Sequence, residues 1–291
     1  GGGEAPSKED AIEGLRQLTE DIKFENTRYQ KDVIDALFRQ PFSDETIPYA
    51  ENIIPGKIFA SDFDLGIMGE AYYDAGSEAN YGGDFSAWNN GWAYRNDNVD
   101  IQNNEDPLSN GYNVGWIESD EWMQYTLKDP TSGLYNIKVR VATEDNDGSF
   151  YFKINDNQVT DLINVPNTES WTNWSFINID SLVVYDTDDK FVFQVKTGTF
   201  NLGFFEFERI GDINLLQTKY ISSFTLSENS ININFNKNLD NTSTLNKSDF
   251  ILNINDQEKD IQNVNYSSSP RSIIINFDTE IQPTDIVTLS Y

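Results

Sequence analysis

Two tryptophans and one asparagine are of the residue types from which a sugar-binding surface is built. Trp116 ends a glycine-containing run, Trp171 lies in a polar loop, and Asn201 precedes an aromatic segment. A pyranose ring presents a flat apolar face rimmed by hydroxyl groups. Proteins bind it by stacking aromatic rings on that face and placing amides and carboxylates at the rim. These three residues therefore predict binding chemistry rather than bond-making chemistry.

The chain contains neither cysteine nor histidine, which narrows the catalytic chemistry open to it. Disulfides, thiol nucleophiles, Ser-His-Asp triads and histidine-ligated metals are excluded. An enzyme would have to work with groups such as carboxylates, and Asp97, Asp100 and Glu118 are candidates because they are crowded together. A glycosidase needs two carboxylates at a defined separation. With 48 acidic residues and no catalytic block around any of them, solvated loop acids are the favoured interpretation.

The formal net charge of -28 over 291 residues limits the partners of the chain. So acidic a protein repels nucleic acids and anionic membranes, and a neutral partner is expected. The charge also favours solubility. No apolar run approaches the length of a membrane span. No signal-peptide pattern begins at Gly1, so we expect a mature product or an excised fragment, and a monomer.

Residues 1–50 have the pattern of helices. Ser7 resembles a helix N-cap, and apolar residues then recur at helical spacing in two stretches. Two helices alone cannot bury these faces. They either lie against the next domain or form the end of a larger upstream, catalytic domain, and the second reading is favoured. The apolar residues are Ile12, Leu15, Leu18 and Ile22 in the first stretch, and Val33, Ile34, Leu37 and Phe38 in the second.

From Ile53 the pattern changes to short strands separated by turn-rich segments. Residues 133–142 alternate apolar and polar side chains, which predicts a half-buried antiparallel strand. Many such strands predict a mainly β protein, with a jelly-roll β-sandwich over residues 53–211. After a linker, residues 213–291 predict a small immunoglobulin-like β-sandwich.

Seven blocks of residues 53–211, in order, resemble the family 6 carbohydrate-binding modules. Each block alone is a weak signal, whereas the ordered set is specific. The blocks are Ile54–Ile58, Tyr94–Ile101, Gly111–Glu118, Glu121–Tyr125, Gly133–Ala142, Val165–Trp174 and Phe200–Phe207.

The resemblance implies a β-jelly roll attached to a secreted bacterial glycoside hydrolase, with its principal site in the loops at one end of the sandwich. Trp116 and Trp171 match the two rings that sandwich one sugar in this family. Asn201 matches an asparagine that hydrogen-bonds sugar hydroxyls. Glu70 matches by position a glutamate that contacts sugar, in a loop that varies among members.

Further tryptophans have less defined roles in this resemblance. Some members bind sugar at a second site on the concave face, near the position of Trp122. Trp122 and Trp174 fall inside strands, which favours core positions. Trp88 and Trp92 lie in a loop rich in asparagine and glycine, where they either extend the site or anchor the loop.

A structural calcium ion is the only cofactor that the resemblance implies. The family usually binds it through acids of the first strand, but Phe59 and Ser61 occupy two of those positions here. Asp62, Asp64 and Glu208 are left as oxygen donors.

We therefore expect non-catalytic binding of a neutral polysaccharide, of the β-glucan, xylan or agarose type, that targets an attached glycoside hydrolase. One alternative is a glycoside hydrolase fragment with its own carboxylate pair. Another is a structural or adhesion spacer built of β-modules. Loss of glycan binding on substitution of Trp171 would distinguish the first reading, and measurable turnover the second.

Overall fold

The computed structural model describes residues 6–27, 29–75, 90–91, 93–213 and 216–291. Trp88 and Trp92 lie outside these residues, so the roles predicted for them are not addressed. In the described part of the chain, no helix has both the length and the apolar character needed to cross a membrane.

Two α-helices open the chain, α1 (Lys8–Asp21) and α2 (Lys31–Phe38). Ser7 caps α1, because its Oγ accepts a hydrogen bond from the Asp10 amide at 3.1 Å. No residue of α1 is buried. One-turn 3-10 helices occur at Phe24–Asn26, Gln40–Phe42, Ala60–Asp62 and Lys247–Asp249.

Helix α2 is held by its acidic residues, and its apolar side faces outward, unlike the packing expected from its pattern. Asp32 and Asp35 are its buried residues, whereas Leu37 and Phe38 are exposed. Asp32 Oδ2 accepts hydrogen bonds from Asn96 N at 2.6 Å and Asn96 Nδ2 at 3.0 Å. These contacts attach α2 to residues of the predicted jelly roll. The domain division at residue 50 stays a prediction.

The predicted jelly roll forms two facing antiparallel sheets. One contains β10-β6-β12-β4-β3 in that order, with β1 also paired to β12, and the other contains β2-β5-β11-β7-β8, with β9 paired to β7. The strands are β1 (Gly56–Phe59), β2 (Tyr72–Tyr73), β3 (Ile101–Asn103), β4 (Tyr112–Val114), β5 (Trp122–Thr126), β6 (Gly133–Thr143), β7 (Ser149–Ile154), β8 (Asn157–Gln158), β9 (Ile163–Asn164), β10 (Ser170–Val184), β11 (Lys190–Thr197) and β12 (Asn201–Gly211).

Strand β6 confirms the alternation read from the sequence. Its apolar residues Tyr135, Ile137, Val139 and Val141 are buried, and the polar residues between them are only partly covered. The period of two follows from the pleat, which directs successive side chains to opposite faces. A mainly β, two-sheet fold is thus confirmed for this region.

Phenylalanine rings pack against one another in the core between the two sheets. Phe152 and Phe191 have ring centroids 4.7 Å apart, and Phe191 meets Phe205 edge to face at 5.3 Å. Each fully buried ring of this kind contributes about 1.5–3 kcal/mol. A core packed from strands of both sheets fixes the ends of those strands, and therefore the loops that leave them.

The C-terminal unit, residues 213–291, has its own sheets and core. The sheets are β13-β14-β18-β17 and β16-β15-β19, and their apolar cluster includes Leu252, Ile275 and Phe277. The strands are β13 (Tyr220–Ser227), β14 (Ser230–Phe235), β15 (Ile251–Ile254), β16 (Gln257–Lys259), β17 (Ile261–Tyr266), β18 (Ser272–Phe277) and β19 (Val287–Ser290). An immunoglobulin-like topology stays a prediction.

A buried ion pair joins the C-terminal unit to the jelly roll. Arg271 Nη2 donates to Asp188 Oδ2 at 2.5 Å, and both side chains are buried. Arg271 also donates to the Val183 carbonyl at 3.3 Å and lies 5.2 Å from the centre of the Tyr185 ring. We call this contact the Arg271 junction. It lies beside the C-terminal end of β10.

Candidate functional site

Trp116, Trp171 and Asn201 come together at one end of the first sheet. Trp171 is the second residue of β10 and Asn201 the first of β12, with β6 between these strands. On the other side of β12, Leu202 pairs with Val114 of β4, two residues before Trp116. The sheet order therefore gathers three residues that are up to 85 positions apart in the sequence.

Asn201 is the buried centre of this group, with 4% of its surface exposed. Its Nδ2 donates a hydrogen bond to the Trp171 carbonyl at 2.8 Å. On its other side it meets Gly115, where an added Cβ would lie 2.9 Å from Asn201 Oδ1. Because this contact leaves no room for a side chain, the strand that leads into Trp116 packs directly on Asn201. The amide thus links the segments that carry both tryptophans.

Both tryptophan side chains remain accessible, Trp116 with 48% and Trp171 with 37% of its surface exposed. Neighbouring residues hold their backbones. Gly115 N donates to the Asp100 carbonyl at 2.9 Å, and Ile117 on the other side of Trp116 is fully buried. Two accessible indole rings beside buried supports can take up a flat apolar ligand.

Hydrogen bonds connect the loops around the tryptophans. Thr143 Oγ1 donates to the Thr199 carbonyl at 2.8 Å, and Thr199 Oγ1 donates to Asp145 Oδ2 at 2.5 Å. Thr168 N donates to the Thr143 carbonyl at 2.9 Å. The loops that follow β6, precede β10 and precede β12 are thereby tied together.

Gly198 brings a fourth loop, the one after Trp116, into this group. A Cβ at Gly198 would collide with the Ile117 carbonyl and lie 3.0 Å from the Glu118 Cα. Only a glycine allows the two backbones to approach so closely. The site is therefore a set of mutually supported loops.

Glu70 and Trp122 belong to the second sheet and its connections, not to the sheet that carries Trp171 and Asn201. Glu70 is exposed in the turn before β2, and its side chain makes no hydrogen bond or ion pair with other described residues. Trp122, on β5, pairs with Tyr73 and Gln194 and is partly exposed. Trp174 on β10 is also partly exposed. Sugar contact at Glu70 and a second site at Trp122 stay predictions.

The three predicted calcium ligands are not gathered into one group. Asp62 accepts a hydrogen bond from the Tyr94 hydroxyl at 2.7 Å, and Asp64 accepts from Thr126 N at 2.9 Å and Thr126 Oγ1 at 2.6 Å. Burial raises the pKa of both aspartates. Glu208 is exposed on β12. In residues 6–75 and 90–291, as far as described, no cluster of three or more acids suits a metal ion. The donors present therefore do not fit a shared site, and calcium binding stays a prediction.

Of the carboxylates considered for an enzyme, Asp97 pairs with Arg95, whereas Asp100 and Glu118 lie close enough to interact electrostatically. Asp97 Oδ2 accepts from Arg95 Nε at 2.7 Å, and Asp100 accepts from Asn90 N at 2.5 Å and Asn90 Nδ2 at 2.9 Å. Glu118 is exposed. Burial raises the pKa of Asp97 and of Asp100. Asp97 and Asp100 are thus buried and hydrogen-bonded within the protein, so their interpretation as solvated loop acids was wrong, whereas Glu118 is exposed as that interpretation expects.

Sequence reasoning missed a pair of buried acids at the ends of β2 and β5, Asp74 and Glu121. Tyr73 pairs with Trp122 in the β2–β5 ladder, so Asp74 and Glu121 follow directly opposite each other. Burial, with the nearby Asp100 carboxylate next in importance, raises the pKa of Asp74 to about 8. Burial, followed by the charge of Asp74, raises the pKa of Glu121 to about 9.

These pKa values mean that both acids hold their protons at neutral pH. Glu121 Oε1 also accepts a hydrogen bond from Ala75 N at 3.2 Å. Only the strand register identifies this pair, because nothing in the spacing of Asp74 and Glu121 marks them as neighbours. Glu121 also accepts a hydrogen bond from the backbone of Glu118, two residues after Trp116.

Comparison with known proteins locates a family match in the same region. Residues 93–209 match the sequence model of the carbohydrate binding module, family 6. The matched range contains Trp116, Trp171 and Asn201. Among curated proteins, none matches the chain.

Several solved structures are similar to parts of the chain. The C-terminal CBM6 of LamC, a marine laminarinase from Zobellia galactanivorans, is 26% identical, with 38% of this chain and 88% of that chain covered and a TM-score of 0.35. The module CBM6cm-2 of Cellvibrio mixtus lichenase 5A, in complex with cellotriose, is 25% identical, with coverages of 38% and 87% and a TM-score of 0.35. A β-1,3-glucan binding CBM6 from Bacillus halodurans is 16% identical, with coverages of 55% and 99% and a TM-score of 0.39.

The family match covers six of the seven predicted blocks, all except Ile54–Ile58, and these six include the blocks that carry Trp116, Trp171 and Asn201. The resemblance inferred from the ordered blocks is therefore confirmed: residues 93–209 of this chain match the carbohydrate-binding modules of family 6.

Proposed function

We propose that residues 53–211 bind a neutral polysaccharide at the end of the sandwich formed by Trp116, Trp171 and Asn201, and that they do so without catalysis. One observation carries the proposal: Asn201 is buried between Gly115 and the Trp171 carbonyl and thereby fixes two accessible indole rings at one end of one sheet. Ordered, exposed aromatic side chains supply large contact area at low entropic cost.

The role of Asn201 in this proposal is mainly structural. Its Nδ2 is already used by the Trp171 carbonyl, whereas its Oδ1 accepts no hydrogen bond from the described residues. Oδ1 is therefore the atom available for a sugar hydroxyl. Removing the side chain would release the Trp171 segment as well as any sugar contact.

The biological role that we propose is to hold an attached glycoside hydrolase, outside a bacterial cell, on its polysaccharide. Each site would bind weakly, because solvated sugars bury little apolar area. Tethering nevertheless raises the effective concentration of the attached enzyme at the substrate. The net charge of -28 supports a neutral glycan.

Affinity gel electrophoresis tests this proposal directly. Gels containing laminarin, mixed-linkage glucan, xylan, hydroxyethyl cellulose or agarose would be run with the wild type, Trp116→Ala, Trp171→Ala and Phe224→Ala. We expect at least one glycan to retard the wild type and each tryptophan variant to bind about tenfold more weakly, which corresponds to about 1.4 kcal/mol for one lost stacking ring.

Phe224→Ala is the matched control, because Phe224 is a similarly exposed aromatic residue on β13 of the C-terminal unit. It should migrate as the wild type does. If a folded wild type is retarded by none of these glycans, or if Phe224→Ala loses as much affinity as Trp171→Ala, the proposed site is wrong. Release of reducing sugar from the same glycans would contradict the non-catalytic role.

A further inference from the structure

The loops around the two tryptophans carry an unusual excess of acidic residues. Four segments form this rim: residues 116–120, 144–148, 166–171 and 196–200. Together they contain six carboxylates and one ammonium group, a formal net charge of -5 over 21 residues, against -28 over all 291. The rim is thus more acidic than the chain as a whole. The carboxylates belong to Glu118, Asp120, Glu144, Asp145, Asp147 and Glu169, and the ammonium group to Lys196.

The six carboxylates are all exposed, and the structure fixes their loops next to the tryptophans. Asn167 Nδ2 donates to the Glu144 carbonyl, which joins the loop after β6 to the loop that ends in Trp171. Gly198 packs against the backbone at Glu118, which joins the loop before Asn201 to the one after Trp116. The charges therefore border the same surface.

Little positive charge within the rim compensates for these acids. Lys196 Nζ lies 3.9 Å from Asp120 Oδ1, and both side chains are largely exposed. An exposed pair at that distance is weak and offsets one of the six carboxylates. Asp145 accepts a hydrogen bond from the Thr199 hydroxyl. Neither Asp145 nor any of the other four carboxylates, at Glu118, Glu144, Asp147 and Glu169, forms an ion pair with the described residues.

We infer that this acidic rim, rather than the net charge of the whole chain, makes the site disfavour anionic polysaccharides relative to glycans without carboxylate or sulfate groups. The inference rests on the proposed function, and it assigns part of the selectivity to the rim rather than to the tryptophans. In water, a ligand charge about 10 Å from each of three rim carboxylates meets a combined repulsion equivalent to about a tenfold loss of affinity. Salt at 0.15 M screens that repulsion to about twofold.

The test compares one glucan in neutral and in charged form. Wild-type binding to laminarin and to carboxymethylated laminarin, and to hydroxyethyl cellulose and carboxymethyl cellulose, would be measured by affinity electrophoresis at about 20 mM and about 0.5 M NaCl. The rim variant carries Glu118→Gln, Glu144→Gln and Glu169→Gln, three substitutions that remove charge from side chains without hydrogen bonds to described residues.

A matched control removes the same charge elsewhere. Glu228→Gln, Asp256→Asn and Glu258→Gln neutralise three exposed acids of the C-terminal unit. The net charge then changes equally in the two variants, while the rim is altered in only one of them. Long-range effects of net charge and local effects of the rim are thereby separated.

We expect the wild type to bind the charged glucan about fourfold more weakly than the neutral one at about 20 mM salt, which already screens part of the repulsion, with the difference shrinking at high salt. The rim variant should close most of that gap and keep its affinity for the neutral glucan, and the control variant should not. Equal wild-type affinity for both forms at low salt, or equal gains in the two variants, would overturn the inference. Failure of the wild type to bind either neutral glucan would instead overturn the proposed function, before any charged probe is used.

Discussion

Asn201 connects two exposed tryptophans while remaining buried itself. The sequence singled out all three residues and assigned Asn201 to the sugar, but the structure shows that its Nδ2 is used by the Trp171 carbonyl. A sequence can indicate which residue types suit a ligand. It cannot show which polar atoms are already satisfied within the protein, because that depends on the pairing of β6 with both β10 and β12.

Asp74 and Glu121 make the stability of the protein depend on pH. Their pKa values of about 8 and about 9 lie above those of the unfolded chain, which are about 3.9 for Asp and about 4.3 for Glu. The folded state therefore keeps protons that the unfolded state has lost. The stabilisation is complete below the unfolded pKa values and is lost as the pH rises through 8 and 9.

We expect the melting temperature to fall between pH 6 and pH 9.5, and Glu121→Gln to flatten this dependence. The glutamine keeps an oxygen for the Ala75 amide but cannot ionise. Thermal unfolding followed by circular dichroism across this range is the measurement, with Glu258→Gln, an exposed acid, as control. A slope in Glu121→Gln as steep as that of the wild type would show that this carboxyl does not titrate as described.

At the scale of elements, the sequence pattern predicted the buried face of strand β6 correctly, but it did not predict how helix α2 is attached. The alternation of β6 predicted its buried face correctly, because the pleat itself imposes the period. The apolar spacing of α2 predicted an amphipathic helix correctly but not its attachment. Asp32 makes the contacts to the jelly roll, and a hydrogen bond from a distant backbone amide has no signature in the sequence.

Asp32→Ala should destabilise the protein by about 1–3 kcal/mol, because it removes a buried carboxylate together with the two hydrogen bonds that Asn96 donates to it. Leu37→Ala on the same helix should change stability by less than about 0.5 kcal/mol, since Leu37 is exposed. Urea unfolding of the full chain compares the two. Equal effects would mean that α2 is not held by its acids.

At the scale of the whole molecule, the Arg271 junction makes the jelly roll and the C-terminal unit neighbours with a buried charge between them. The two partners are 83 positions apart. No local pattern marks them, so the sequence predicted a linker and two units but not their contact. Breaking such a pair by removing one partner typically costs about 3–5 kcal/mol, because the other charge is left buried and uncompensated.

Calorimetry tests whether the junction couples the two units. We expect one unfolding transition in the wild type and two in Arg271→Met, with Arg271→Met/Asp188→Asn recovering part of the loss because no bare charge remains. Lys219→Met is the matched control, since Lys219 pairs with Asp161 at 2.7 Å across the same two units but in solvent. Two transitions already in the wild type would show that the units unfold independently.

Strand β10 has Trp171 near one end and the Arg271 junction beside the other, and this arrangement has a mechanical consequence. Fifteen residues of strand span about 45 Å. The buried junction holds the C-terminal unit in one orientation relative to β10, so the unit acts as a rigid spacer and not as a flexible linker. A domain attached to the C-terminal unit would then stay within a small range of distances from Trp171. A force applied between that domain and a ligand bound at Trp171 would act along the length of β10.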